Sequence, residues 1–180
     1  MKELYISVDI EAAGPIPVTY SMLSLGAAVV HELQTNFYVE LHPINQKSVP
    51  DAMKVVGRTL KDFERTGRDP KGAMLAFRDW IHSVAKKGKP VFVGFNATFD
   101  WAFVNYYFQH YLGDNPFGFG GIDIKSYYMG MSGCTWDDSR SSRIPSALRS
   151  SSRHTHNALD DAIEQAEMFQ RMRERAARKV

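Results

Sequence analysis

Apolar and polar residues alternate along Leu4-Tyr5-Ile6-Ser7-Val8-Asp9-Ile10-Glu11, the period of a strand that buries one face. Gly14-Pro15-Ile16-Pro17 ends it, because proline offers no ladder donor and glycine supplies turn geometry. Further strands are predicted over residues 22–30 and 36–41, linked through 32–35. Three strands without a helix between them predict an antiparallel meander. The period then lengthens. Residues 51–66 predict one or two short helices broken near Gly57, and Asp69-Pro70 gives an N-cap with proline at the first helical position. Met74, Phe77, Trp80, Ile81 and Val84 form the core-facing stripe of that helix, which closes at Gly88. An apolar strand over 90–95 leads to an aromatic helix over 98–112, stopped by Gly113. A strand over 121–124 and a helix over 157–179 follow. Residues 131–154, rich in Ser, Arg and Gly and without period, predict a mobile loop over about 132–154 with one turn over 144–148. No repeat or linker divides the chain, so one α/β domain spanning 1–180 is expected.

Composition narrows this picture. Hydrophobic residues at 44% and charged residues at 23% exclude wholesale disorder. The 22 basic and 20 acidic side chains balance to +2, too even to predict a nucleic-acid partner from charge alone. The single cysteine, Cys134, excludes an internal disulfide and a cysteine zinc site. No apolar run is long enough for a signal peptide or a membrane span, so a cytoplasmic protein with no membrane partner is expected.

Candidate chemistry lies in the acids. Asp9 and Glu11, two apart on a strand, leave the same face. Adjacent carboxylates repel, and a divalent cation between them is the usual remedy; the structural alternative is a solvent-facing edge. Asp100 stands where the 90–95 strand gives way to a helix, a common functional position in α/β sheets, although helix dipoles also favour acids there. In His156-Asn157-Ala158-Leu159-Asp160-Asp161-Ala162, Asn157 is the expected N-cap and Asp160 the third residue of a variant capping box. Asp161 falls in the first turn, beside the small Ala158 and Ala162, and His156 stands just outside.

Together these segments resemble the motifs of the DEDDh 3′-to-5′ exonuclease superfamily, whose relatives include polymerase proofreading subunits, ribonuclease T and oligoribonuclease. Asp9-Ile10-Glu11 with Gly14 resembles the first motif, Asn96 with Phe99-Asp100 the second, and His156 through Ala162 the third, with the ligand at Asp161. Two departures bear on the grip on a 3′ end: Ala12 stands where many relatives have Thr, and residues 14–20 are proline-rich. The resemblance implies a ribonuclease-H-like mixed sheet, with an antiparallel three-strand meander and parallel strands flanked by helices. It also implies hydrolysis of single-stranded DNA or RNA to nucleoside 5′-monophosphates, using two Mg²⁺ or Mn²⁺ ions.

By that resemblance Asp9 would bridge both ions, Glu11 and Asp161 would hold the ion nearer the nucleophile, and Asp100 would support the second. Hard oxygen ligands suit magnesium or manganese. His156 is the expected general base, because an imidazole is available in neutral form near pH 7; His154 is its rival. Asn96, Ala12, Arg149 and Arg153 are the expected substrate contacts, with Arg140 and Arg143 completing a basic loop suited to phosphates. Phe99, Phe103 and Tyr107, spaced by four, are expected in the core, and Met22, Leu23 and Phe95 are weaker candidates for a nucleobase wedge. The chain is expected to act alone or as a homodimer. A catalytically silent binding relative and a small-dinucleotide phosphodiesterase are the competing readings.

Overall fold

Strand β1 (Glu3–Ala12) lies at the centre of a five-stranded sheet. On one side it pairs antiparallel with β2 (Met22–Val29), which pairs antiparallel with β3 (Glu32–Glu40). On the other it pairs parallel with β4 (Lys89–Gly94), which pairs parallel with β5 (Gly121–Asp123). The order β3-β2-β1-β4-β5 is the mixed sheet expected for a ribonuclease-H-like fold. This computed structural model describes residues 2–150 and 155–178.

The two faces of the sheet carry separate apolar clusters. Ile6, Val8 and Ile10 of β1 join Phe92 on the face covered by α3 (Pro70–Ala85) and α4 (Thr98–Leu112). Met74, Phe77 and Ile81 of α3 are fully buried there, so the stripe spaced along that helix does meet the sheet. Val93 and Ala28 face the opposite way, towards α5 (Ile124–Ser132) and α6 (Ala158–Ala177). Tyr5 belongs to this second cluster, which places the odd-numbered residues of β1, Asp9 and Glu11 among them, on the α6 side. Two short helices, α1 (Pro50–Val56) and α2 (Leu60–Thr66), are separated by Gly57, which adopts φ 69°. Thr59 and Asp62 close a reciprocal capping box at the start of α2.

Several expectations change. The β2–β3 link is a tight turn at Val30 and His31, and β3 begins at Glu32 rather than at residue 36. Helix α5 was not expected: Asp123 caps it by accepting from Ser126 N at 2.9 Å, but a short, glycine-containing segment gives little periodic signal. The expected loop starts at Gly133, and its described part, residues 133–150, contains turns and a 3₁₀ turn (Ser141–Arg143). Ile144 and Leu148 anchor it by inserting into the second cluster. Met22 and Leu23 are wholly buried and unavailable to a nucleobase, while Phe99, expected in the core, is 40% exposed. Its neighbours Phe103 and Tyr107 are buried, and the Tyr107 hydroxyl accepts from Met22 N at 2.9 Å.

Helix α6 lies very close to the sheet. A Cβ added to Gly26 of β2 would come within 2.2 Å of the Ala158 carbonyl carbon and oxygen and 2.3 Å of Leu159 N. Gly26 is also the register partner of Asp9. The first turn of α6 thus occupies the place of a side chain on the strand beside Asp9. Gly26→Ala is expected to lift that turn and cost about 1–3 kcal/mol, with faster hydrogen exchange at the Leu159 and Asp160 amides; unchanged exchange there would refute this packing.

Candidate active site

Each acid is carried by a different local device. Asp9 and Glu11 project from the carboxyl end of β1, where the register with β2 shifts between Glu11 and Ala12. Asp100 sits in the first turn of α4 and is 4% exposed. Its Oδ1 accepts from Ile10 N at 3.0 Å, tying the second motif to the backbone between the two acids of the first. Asp161, 1% exposed, lies in the first turn of α6 and accepts from Thr155 N at 3.1 Å. Asn157 caps this helix, accepting from Leu159 N at 3.0 Å and Asp160 N at 3.3 Å. The expected capping box does not form, because the Asp160 carboxylate accepts instead from the Thr155 hydroxyl at 2.9 Å.

These groups open onto one cavity of about 260 Å³, lined by Asp9, Glu11, Asp100, Asp161, His156 and Asn96 together with Val55, Phe95 and Phe99. Glu11, His156 and Asp161 each offer a ligand atom, all within 4.8 Å of one another. Asn96 and His156 both adopt left-handed backbone conformations, with φ 54° and 56°. Such non-glycine positions cluster where surrounding structure enforces an unusual geometry.

The acids perturb one another. Burial pushes Glu11 up to about 8, with repulsion from Asp161 and then Asp100 adding to it. Burial likewise lifts Asp100 to about 7, against the pull of the backbone N–H groups of Ile10 and Asp100 itself. Asp9 is driven well above the usual carboxylate range, first by burial, then by Asp100, Asp161 and Glu11; a hydrogen bond from Gln165 opposes this. Among the described residues no Lys or Arg lines this cavity, and its crowd of desolvated oxygens is a donor set that fits hard divalent cations.

Of the remaining expected contacts, Asn96 lines the cavity, whereas Ala12 turns its methyl into the first apolar cluster. Arg149 is exposed, is not among the cavity-lining residues, and its carbonyl accepts from Arg171. Arg153 and its neighbour His154 lie outside the described residues. Arg140 and Arg143 pair with Asp137 at 2.8 Å and Asp138 at 2.7 Å, so the basic loop supplies part of its own counter-charge from acids just upstream. Gln165 escaped the sequence reading. Its only signal is a position one helical turn beyond Asp161, on the same face of α6.

The model of the RNase T exonuclease family matches residues 6–169, and the chain belongs to that family. It is 50% identical over 169 residues to the 3′-5′ DNA exonuclease Cap18 of Escherichia coli, an alignment covering 93% of this chain and 90% of that protein. The resemblance to DEDDh 3′-to-5′ exonucleases, and the enzyme class it implies, therefore hold. Among solved structures, a full-length 3′-exonuclease superposes with a TM-score of 0.77 at 18% identity, over 96% of this chain and 60% of its own length. E. coli Exonuclease I in complex with a dA16 oligonucleotide gives 0.74 at 18% identity, over 98% of this chain and 42% of that one. The chain thus spans less than two thirds of each of these solved proteins, and they establish its fold. Among the described residues, no helix is long and apolar enough to cross a membrane.

The raised acids make fold stability depend on pH. In an unfolded chain they would lose protons near pH 4, whereas Glu11 and Asp100 retain theirs to about 8 and about 7 in the fold. The folded state therefore holds more protons across that interval, and its stability falls as pH rises through it. In EDTA the melting temperature should drop between about pH 5 and 8. Asp100→Asn, which keeps an acceptor for Ile10 N–H, should melt higher than wild type at the alkaline end and similarly at the acid end. A flat wild-type profile would contradict the crowding.

Proposed function

We propose that this chain removes nucleoside 5′-monophosphates one at a time from the 3′ end of single-stranded DNA, using two Mg²⁺ or Mn²⁺ ions held by Asp9, Glu11, Asp100 and Asp161. The observation that carries the reading is the convergence of these four acids and His156 on one small cavity. A DNA substrate is favoured by the relative that is 50% identical and named a DNA exonuclease. A single strand is favoured by the solved neighbour that holds a dA16 oligonucleotide.

When bound, the ions would supply charge neutralisation at the scissile phosphate and at the oxygen it releases. The chain's own groups do the rest. Asp100, fixed by Ile10 N–H, and Asp161, fixed by Thr155 N–H, hold their carboxylates rigidly towards the cavity. His156, exposed at the cavity's edge, takes the proton of the attacking water as its oxygen bonds to phosphorus. The bond to the 3′ oxygen of the preceding nucleotide breaks, and that oxygen gains a proton from solvent. Phe99 and Val55, both exposed apolar residues of the lining, offer a surface against which the terminal base can lie. Asn96 offers its amide to the substrate from the same wall, and Arg149 and Arg153 are assigned to phosphates further along the strand. The proposed working unit is one exonuclease domain over residues 1–180, in the cytoplasm, acting alone or as a homodimer.

A 5′-labelled DNA oligonucleotide incubated with Mn²⁺ should shorten stepwise from its 3′ end, faster than RNA of the same sequence. No cleavage in any divalent metal would favour a silent relative, and cleavage confined to dinucleotides would favour a phosphodiesterase. His156→Ala should retain Mn²⁺ and oligonucleotide binding but turn over about 10²–10⁴-fold more slowly. A near-normal rate would remove His156 from the role of base.

A further inference from the structure

Gln165 lies one turn beyond Asp161 on α6 and is 8% exposed. Its Oε1 accepts from Phe95 N at 2.8 Å, and its Nε2 donates to Asp9 Oδ1 at 2.6 Å. A backbone N–H can only donate, so the contact with Phe95 fixes which end of the amide is oxygen. The NH₂ group has no choice but to face Asp9.

We propose that Gln165 is a positioning residue for cation binding, which locks the Asp9 carboxylate in the orientation the ions require. This rests on the metal-dependent reading above. With Oδ1 held by the amide, the carboxyl group cannot swing without giving up that hydrogen bond, so a cation meets ligands that are already aligned. The amide does this without adding charge: a Lys or Arg at 165 would compete with the cation for the same oxygens, and a Leu would leave Phe95 N–H without its acceptor. Phe95 directly precedes Asn96 and the turn that delivers Asp100, so the same side chain also sets where the end of β4 stands relative to β1. One neutral side chain thereby joins all three acidic segments.

Groups hydrogen-bonded to metal ligands typically change metal affinity or activity by about 10–100-fold when removed. Gln165→Leu and Gln165→Met keep the volume and lose the donor. Titration calorimetry with Mn²⁺ should show both binding at least about tenfold more weakly than wild type, and the Mn²⁺ concentration for half-maximal cleavage should rise by the same factor. KM for the oligonucleotide at saturating Mn²⁺ should stay within about twofold, and hydrogen exchange at the Phe95 amide should quicken. Met168→Leu, on the same helix, should leave all four readings unchanged. Wild-type Mn²⁺ affinity in both variants would overturn the proposal, and so would unfolding of both in the presence of Mn²⁺, since the role would then be structural. Asp9→Ala separates the two readings: if it binds Mn²⁺ as wild type does, the metal assignment itself fails and takes this proposal with it.

Discussion

Carboxyl groups packed where water is scarce repel one another, and the rest of this molecule is arranged to hold them together anyway. Asp9 and Glu11 are forced onto one face by strand geometry, and the fold then brings Asp100 and Asp161 against them from two separate helices. The cost is visible in the upward displacement of Asp9, Glu11 and Asp100. What offsets it is a set of directed contacts: Ile10 N–H on Asp100, Thr155 N–H on Asp161 and the Gln165 amide on Asp9. Each orients its acid through a neutral donor and adds no cationic side chain, which leaves the space suited to hard cations.

The two faces of the sheet divide the labour. The α3 and α4 face is dominated by large apolar side chains, with Phe77 stacked on Phe37 and Phe108, and it serves as the foundation. The α6 face trades bulk for proximity: Ala158, Ala162 and Ala166 are fully buried, and Gly26 lets the helix backbone descend onto β2. Larger residues in that stripe would raise α6 and withdraw Asp161 and Gln165 from Asp9. The acidic site is thus a product of small side chains as much as of acidic ones.

Much of this was legible in the sequence. Strand alternation placed Asp9 and Glu11 on one face, and the N-cap at Asn157 placed Asp161 in a first turn, because both depend on local periodicity. What escaped notice depends on tertiary context. Asp160 is spaced for a capping box, but the Thr155 hydroxyl competes for it. Phe99 has core spacing yet opens onto the cavity, since the interior ends where α4 begins. Residues 133–150 lack any period, and Ile144 and Leu148 gain meaning only once the second cluster exists to receive them. Gln165 carried no chemical flag, because an amide becomes significant only through the partners it faces.

The hydrogen bond between Gln165 and Asp9 joins positions 156 apart along the chain. A ribosome making this protein therefore delivers the sheet, α3 and α4 well before the segment that brings His156, Asp161 and Gln165 to them. Until α6 has been synthesised and has docked, the acidic cluster lacks Asp161 and the Gln165 contact to Asp9. The completed cluster is therefore a property of the docked chain, and no stretch of it short of α6 can assemble the four acids.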